Sequence, residues 1–398
     1  MRQEAVQSAL FTRLGNAPLE RCMKILFLTR HLGYGGAERQ LVVLAKGLQA
    51  RGHDVVVSVF YPDGPLEKEL QGSGVRVRSL GKRSRWHLAS FLVTFINMVR
   101  AERPAIIHGY LGEPNIFSLI PKLLVPGVKV VWGIRDSHMD FSNDEWIIRV
   151  NARLARWLSR FPDCIITNSH AGLQYHASQG YPRHTMTVIH NGIDTDRFRP
   201  NAVARRRVRA EWGVTPGDRV IGLIARLHPM KDHPVFLTAA ADLAREHQRV
   251  MFVCVGNGRP EYRDSLLKLA NSLGLKDRVL WLNPRPDVEA VFAALDIAVS
   301  SSQFGEGFGN AIAEAMACGV PCVVTDVGDS ALIVGDKGKV VPARNPAALK
   351  AAIDEVLRHQ PYTAEATRQR IVDRVSVHRL ISNTEEALDR INGVRQHG

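Results

Sequence analysis

Met23-Lys-Ile-Leu-Phe-Leu-Thr29 is a short, nearly unbroken apolar run, followed by the turn Gly33-Tyr-Gly-Gly36 and by Ala37 to Gln49 with apolar residues at helical spacing. A buried strand reads this way, and the glycines let the chain turn tightly into the helix. Asp54 to Phe60, Ala105 to His108, Lys129 to Trp132 and Asp163 to Thr167 are further strand candidates, with helical stretches between several of them. Such alternation implies a parallel, doubly wound α/β sheet. After Val188-Ile-His-Asn-Gly-Ile-Asp194 the pattern changes to Phe198-Arg-Pro200 and a basic helical stretch, Ala202 to Trp212. A second series then opens: Arg219 to Ala225, Val250 to Val255, Val279 to Leu282, Ile297 to Ser300 and Pro321 to Thr325. The chain therefore divides into an extension at 1–22, a first domain at 23–198, a second at 199–374 and a terminal helical stretch at 375–398. Two cores suit its 398 residues, since domains run to roughly 100–200 residues. Ligands of open parallel sheets collect at the carboxyl ends of the strands, so a cleft between two such domains is the expected active site.

Hydrophobic residues make up 45% of the chain and charged residues 23%, without a repeat of fixed period, as in an ordinary soluble globular protein. No apolar run approaches the roughly 20 residues of a spanning helix. Glu4 and Gln7 precede only a weak apolar patch, so a signal peptide is not expected and the cytoplasm is the expected location. The five cysteines mostly sit in apolar strand-like runs and read as reduced, buried thiols. Cys318 and Cys322 flank Gly319-Val-Pro321 without a second ligand pair, so no metal site is read. The net charge of +13 is one-sided: Met1 to His190 holds 24 Lys and Arg against 14 Asp and Glu, and the remainder 28 against 25. A basic first half suits an anionic membrane surface or a phosphate-bearing substrate. Aromatics, at 7%, are not interleaved with the basic residues, so nucleic acid is not an expected partner.

The strand ending near Ser300 to Ser302 leads into Gln303-Phe-Gly-Glu306-Gly-Phe-Gly309, and a helix from about Asn310 closes at Cys318 with Gly319 as cap and Pro321 as stop. Glu306 then lies on the loop and Glu314 on the first turns of the helix. The peptide N–H groups of Gly307, Phe308, Gly309 and Asn310 gather at the positive helix end, where a negative ligand belongs. Gly222-Leu-Ile-Ala-Arg226-Leu-His-Pro-Met-Lys231 places two cations just past a strand, where both reach one diphosphate. A fixed cation pair can do what magnesium does elsewhere, so a metal-independent reaction is expected. In the first turn Glu38 stands where a dinucleotide fingerprint has its third glycine, which disfavours NAD; no cofactor is expected. His108 ends one strand candidate and Arg135, followed by Asp136, ends the next, which aims both at the expected cleft along with Tyr110. Trp146 to Arg160 carries Arg149, Arg153, Arg156 and Arg160 at steps of four, three and four, with Ile147, Val150, Leu154 and Leu158 on a neighbouring face. Lys82-Arg-Ser-Arg-Trp86 leads into a second such helix. The expectation is that the apolar side packs inward while the arginines attract anionic lipid.

Glu306-Gly-Phe-Gly-Asn-Ala-Ile-Ala-Glu314, with Ala315-Met-Ala-Cys-Gly-Val-Pro321 after it, resembles the Glu-x7-Glu signature of glycosyltransferase family 4. Gly35-Gly-Ala-Glu-Arg39 is similar to the family's first glycine loop, and the resemblance runs from Met23 onward. It implies the GT-B fold: two facing Rossmann-like doubly wound parallel-sheet domains with an interdomain cleft, the donor mostly in the second and the acceptor mostly in the first. The stretch Val375 to Ile391 would return to the first domain. By the same resemblance Glu306 binds the donor sugar's hydroxyls, Glu314 the ribose, and Arg226 and Lys231 the leaving diphosphate. Gly35 and Gly36 would face the phosphates and Asn283 would shape the base pocket. His108 would be the catalytic histidine, and Arg135 and Tyr110 would touch the acceptor. The reaction implied is retaining transfer, by front-face attack, from a nucleotide-sugar to a glycan or polyprenyl-linked acceptor in surface-polysaccharide synthesis (lipopolysaccharide or exopolysaccharide). UDP is the prior and GDP is open. A nucleotide-sugar epimerase of the same architecture and a non-catalytic nucleotide-sugar-binding protein are the rival readings.

Overall fold

The computed structural model describes residues 22–82, 88–135 and 146–393. The extension up to residue 21, the basic Arg83 to Trp86 and Asp136 lie outside the described residues. The chain forms two compact units, Met1–Gly192 with Val377–Gly398, and Ile193–Ser376. In the first unit the order is β1 (Lys24–Thr29), α1 (Gly36–Ala50), β2 (Asp54–Val59), β3 (Arg76–Ser79), α2 (Leu88–Glu102), β4 (Ile106–Tyr110), α3 (Gly112–Leu124), β5 (Lys129–Ile134), α4 (Trp146–Leu158), β6 (Cys164–Thr167), α5 (His170–Ser178) and β7 (Met186–Val188). The second unit runs α6 (Ala202–Glu211), β8 (Arg219–Ile224), α7 (His233–Glu246), β9 (Val250–Val255), α8 (Pro260–Ser272), β10 (Val279–Leu282), α9 (Val288–Ala294), β11 (Ile297–Ser300), α10 (Asn310–Ala317), β12 (Cys322–Thr325), α11 (Ser330–Val334), β13 (Gly338–Val341), α12 (Pro346–His359) and α13 (Ala364–Val375). The last helix, α14 (Val377–Asn392), belongs to the first unit.

Each sheet is parallel, ordered β3-β2-β1-β4-β5-β6-β7 in the first unit and β10-β9-β8-β11-β12-β13 in the second. Central strands are apolar on both faces because helices cover both sides: Ile25, Leu26, Phe27 and Leu28 of β1 are all fully buried. Strand order reverses between β1 and β4 and between β8 and β11. At such switch points the loops beyond the carboxyl ends diverge and leave a crevice.

The border falls earlier than the expected one after residue 198. Gln40 bonds Gly192 twice, donating from Nε2 to its carbonyl at 3.0 Å and accepting its N–H at 2.8 Å, which ties Gly192 to α1. The next residue, Ile193, donates to the Val375 carbonyl at 2.8 Å, and Phe198 is buried in the second unit's core against Phe292. Residues 193–198 therefore belong with the second unit. α14 packs on α1, where a Cβ on Gly47 would lie 2.2 Å from Ile381 Cδ1, so only glycine admits the helix this closely. Arg51 and His53 both contact the Glu385 carboxylate, at 3.3 and 3.2 Å.

Two expectations need correcting. His108 does not end its strand; β4 continues to Tyr110, which leaves the histidine in mid-strand and completely buried. On α4 the inward side is not the one carrying Val150 and Leu154, which are 46% and 41% exposed. Ala152 and Ala155 are half-buried instead, and Leu158 packs beside the cluster of Trp132, Ile134 and Ile165.

Candidate functional site

The second unit's switch point gathers the loops that carry Arg226, Lys231 and Glu306. Past β8 the chain continues through Ala225 to His228 into a 3-10 turn, Pro229–Lys231, and past β11 it runs through Ser301 to Gly309 into α10. The β8 loop is held by its neighbour: Ala225 N–H donates to Val255 O at 3.0 Å and Leu227 N–H to Asn257 O at 2.8 Å. Such closeness requires glycine, since a Cβ on Gly256 would lie 1.9 Å from Ala225 O and one on Gly258 2.1 Å from Leu227 O. The β8 and β11 loops are then joined to each other. Ser301 Oγ donates to Lys231 O at 2.8 Å, Gln303 N–H to Met230 O at 2.9 Å and Gln303 Nε2 to Pro229 O at 2.8 Å.

Across this seam Lys231 Nζ forms an ion pair with Glu306 Oε2, and Ser302 Oγ donates to the same oxygen at 3.0 Å. Both side chains are largely covered, so the pair is weakly screened by water. The other carboxylate oxygen is left to accept from a ligand hydroxyl. Arg226 is exposed and has neither ion pair nor hydrogen bond among the described residues. Glu306 is backed by Gly328, at φ +63°, whose Cβ would lie 2.2 Å from the Glu306 carbonyl. His233 opens α7 beside Lys231; burial, and then the lysine charge, pushes it down to about 4, so its ring is neutral at pH 7.

At the start of α10, Ile312 and Ala313 donate back to Gly309 O, and Asn310 N–H donates to Phe308 O at 3.0 Å. This corrects the expectation for the helix end, because the Asn310 amide is spent in a local turn. The Phe308 ring lies in the hydrophobic core with Ile312 and Ile333, so only its backbone faces the loop. Gly307 O accepts from Asp329 N–H at 2.9 Å. Glu314 is half-buried on the second turn of α10. Asn283 is exposed past β10, two strands removed from β8, and is not brought to the Lys231–Glu306 pair. A cavity of about 370 Å³ opens at the opposite, amino edge of this sheet, between Arg219, Asp296, Ile297 and Pro321. None of the expected site residues lines it.

In the first unit a polar cluster sits at the ends of β4, β5 and β6. Arg135 Cζ lies 4.7 Å from the Tyr110 ring centre, and Arg135 Nη1 donates to Asn191 Oδ1 at 3.0 Å. His108 packs on Phe27 at 5.1 Å. Burial, and then the Arg135 charge, pushes His108 down to about 3, while burial raises the Tyr110 hydroxyl above its ordinary value. Among the described residues, both His108 ring nitrogens, Tyr110 OH, Arg135 Nε and Asn168 Oδ1 are buried without a hydrogen-bond partner. Buried polar atoms are nearly always paired, so such a cluster is a candidate site. Gly35 caps α1 at φ −140°, an ordinary conformation, and the closest neighbour of a Cβ there is the flexible end of Glu38, which can move aside. Gly36 is the first residue of α1.

Sequence reasoning missed Ser301, Ser302, Asn168, Gly256, Gly258 and Gly328. The readable signals were the serine run at the end of β11 and Gly256-Asn-Gly258 directly after β9; glycines at a strand end announce a close backbone approach.

Residues 34–197 match the model of Glycosyltransferase Family 4, and residues 204–374 that of Glycosyl transferases group 1. Over 205 residues the chain is 33% identical to the D-inositol 3-phosphate glycosyltransferase of Mycobacterium marinum, covering 50% of this chain and 43% of that protein. The match to the same enzyme of Mycobacterium tuberculosis (strain F11) is also 33%, over 209 residues, covering 50% and 42%. The chain thus spans less than half the length of these curated relatives. Among solved structures, Anabaena HepE in complex with UDP is 25% identical with a TM-score of 0.81, covering 92% of this chain and 100% of that one. A glycosyltransferase from Rickettsia africae superposes with the same TM-score at 19% identity, covering 93% and 98%, and shares the fold. With the two family models together reaching from residue 34 to 374 and a Rossmann-like parallel sheet in each unit, the chain belongs to glycosyltransferase family 4 and to the GT-B fold class.

Proposed function

We propose that the chain is a retaining glycosyltransferase that moves a sugar from a UDP-sugar to a hydroxyl of a glycan or lipid-linked acceptor in surface-polysaccharide synthesis. The observation that carries this reading is the Lys231–Glu306 pair at the β8/β11 switch point, with Arg226 unpaired beside it in sequence. HepE has been solved with UDP and with UDP-glucose, which supports the choice of donor.

The diphosphate of the donor takes up Arg226 and shares Lys231 with Glu306. The free oxygen of Glu306 accepts a hydroxyl of the transferred sugar, and Glu314 takes the ribose. As the bond from the anomeric carbon to phosphate lengthens, negative charge builds on the leaving diphosphate. Lys231, held in place by Glu306, the exposed Arg226 and the Gly307 and Gly309 amides meet it. The departing phosphate oxygen takes the proton of the acceptor hydroxyl on the same face, which keeps the anomeric configuration and requires no enzyme nucleophile. His108, neutral at pH 7, serves as a hydrogen-bonding group rather than a charged acid.

The test is incubation of the full chain with UDP-sugars and lipid-linked acceptors, with the anomeric configuration of the product read by proton NMR. A product inverted at the anomeric centre, or conversion of donor without any acceptor, overturns the reading. Chelation with EDTA leaves the rate unchanged under this mechanism; a rate lost to EDTA and restored by magnesium overturns its metal-independent form.

A further inference from the structure

Helix α4 presents Val150, Leu154 and Trp157 to solvent. Val150, Leu154, Trp157 and, just past the helix end, Phe161 recur at steps of four, three and four, which aligns them in one row; Trp157 and Phe161 are 57% and 51% exposed. Their rings meet edge to face at 5.7 Å. The last turn of α3 lies beside the row, since Lys122 Nζ donates to Phe161 O at 2.7 Å, and the next residue, Leu123, is 85% exposed. A contiguous apolar face of this kind is unusual on a soluble surface and marks an interaction site.

The flanks of the row say what covers it. Arg153 and Arg160 are exposed along one side of the row and have no partner among the described residues. Arg156 is turned away from the row and lies over Gly180, where a Cβ would meet its Nε at 2.8 Å. We propose that the α4 row, with Leu123, docks on an anionic lipid bilayer, the rings and Leu154 entering the headgroup boundary and Arg153 and Arg160 contacting lipid phosphates. A second copy is the poorer occupant, since joining two such faces brings four unpaired guanidinium groups together. The surrounding charge agrees: the first 190 residues hold 24 basic against 14 acidic side chains. This docking surface deepens the lipid-linked acceptor reading and rests on it for its purpose, but not for its test.

The experiment is flotation of the full chain with vesicles of phosphatidylcholine containing phosphatidylglycerol, against vesicles of phosphatidylcholine alone. The native chain floats with the anionic vesicles and is released by salt. Arg153→Ala and Arg160→Ala each weaken the partitioning about fivefold, and Trp157→Ser or Leu154→Ser removes most of it. UDP binding and thermal unfolding of each variant match the native chain, which separates lost docking from lost folding. Three results overturn the proposal: no flotation of the native chain, equal flotation with both vesicle types, or flotation untouched by Trp157→Ser while that substitution dissolves a dimer. Flotation needs neither donor nor acceptor, so a chain that transfers sugar and ignores vesicles loses only this surface. A chain that floats and transfers nothing loses only the function.

Discussion

In the proposed reading Lys231, which is paired with Glu306, shares itself between that carboxylate and the diphosphate, so the carboxylate tunes how tightly the diphosphate is held. Under the proposed chemistry Glu306→Gln frees the lysine and removes a negative charge: UDP binds about tenfold more tightly, roughly 1.4 kcal/mol, while turnover falls by at least the same factor. Calorimetric titration with UDP beside a turnover assay checks both, and weaker UDP binding would sink the shared-cation account. Arg226 makes no contact that stabilises the unliganded protein. Arg226→Ala should weaken UDP binding by about 1.5–3 kcal/mol and leave unfolding within roughly 0.5 kcal/mol of native. At this scale the sequence was readable in placement: Arg226 and Lys231 stand past β8, Glu306 on the loop past β11 and Glu314 on α10, as the motif spacing predicts. It was not readable where tertiary pairing decides the role. The burial that silences the His108 ring comes from strands that meet it only in the folded sheet.

The loops that hold the site depend on backbone approach, and glycines test this at the level of the element. Gly256→Ala pushes a methyl into the Ala225 carbonyl and displaces the β8 loop, and Gly328→Ala does the same beneath Glu306. Each should cost about 1–3 kcal/mol in the second unit and lower UDP affinity. Gly309→Ala is the control: at φ −77° its Cβ meets nothing nearer than 3.8 Å, so stability should hold. Urea unfolding and titration of the three variants separate them, and equal effects would refute the loop argument. The strands that sequence reading found are the apolar ones, including β10, Val-Leu-Trp-Leu, at a sheet edge. The three it missed are also edge strands: β3, Arg-Val-Arg-Ser; β7, Met-Thr-Val; and β13, Gly-Lys-Val-Val. An edge strand has one neighbour and one wet flank, so it needs no continuous apolar run. The outward row of α4 was misread for a related reason. Periodicity shows that a helix has an apolar side, but not which way that side turns.

On the scale of the whole molecule, each unit holds a fully buried histidine pushed well below its ordinary value, His108 in the first and His233 in the second. Their folded values of about 3 and about 4 lie below the ordinary 6.5. Between these limits the unfolded chain binds the proton and the folded one does not. Stability is therefore complete above pH 6.5 and is lost as pH falls, at up to about 1.4 kcal/mol per pH unit for each histidine. Hydrogen exchange at pH 7 and 5.5 should show both units loosening, before most carboxylates titrate. His108→Leu should flatten the response of the first unit alone; an unchanged slope would show that another group carries it. The proposed donor ligands that hold phosphate and sugar lie in the second unit. Saturating UDP at about one hundred times its Kd should stabilise that unit by roughly 2.7 kcal/mol.

α14 comes last in the chain yet completes the first core, where Ile381 fills the space above Gly47. A ribosome delivers the second unit in full before it delivers this piece of the first. The earlier-made half must wait, with the α1 side of its core uncovered, while the later-made half closes independently. Nascent chains stalled after Ser376 would therefore present one finished Rossmann-like body and one that a chaperone still recognises as unfinished.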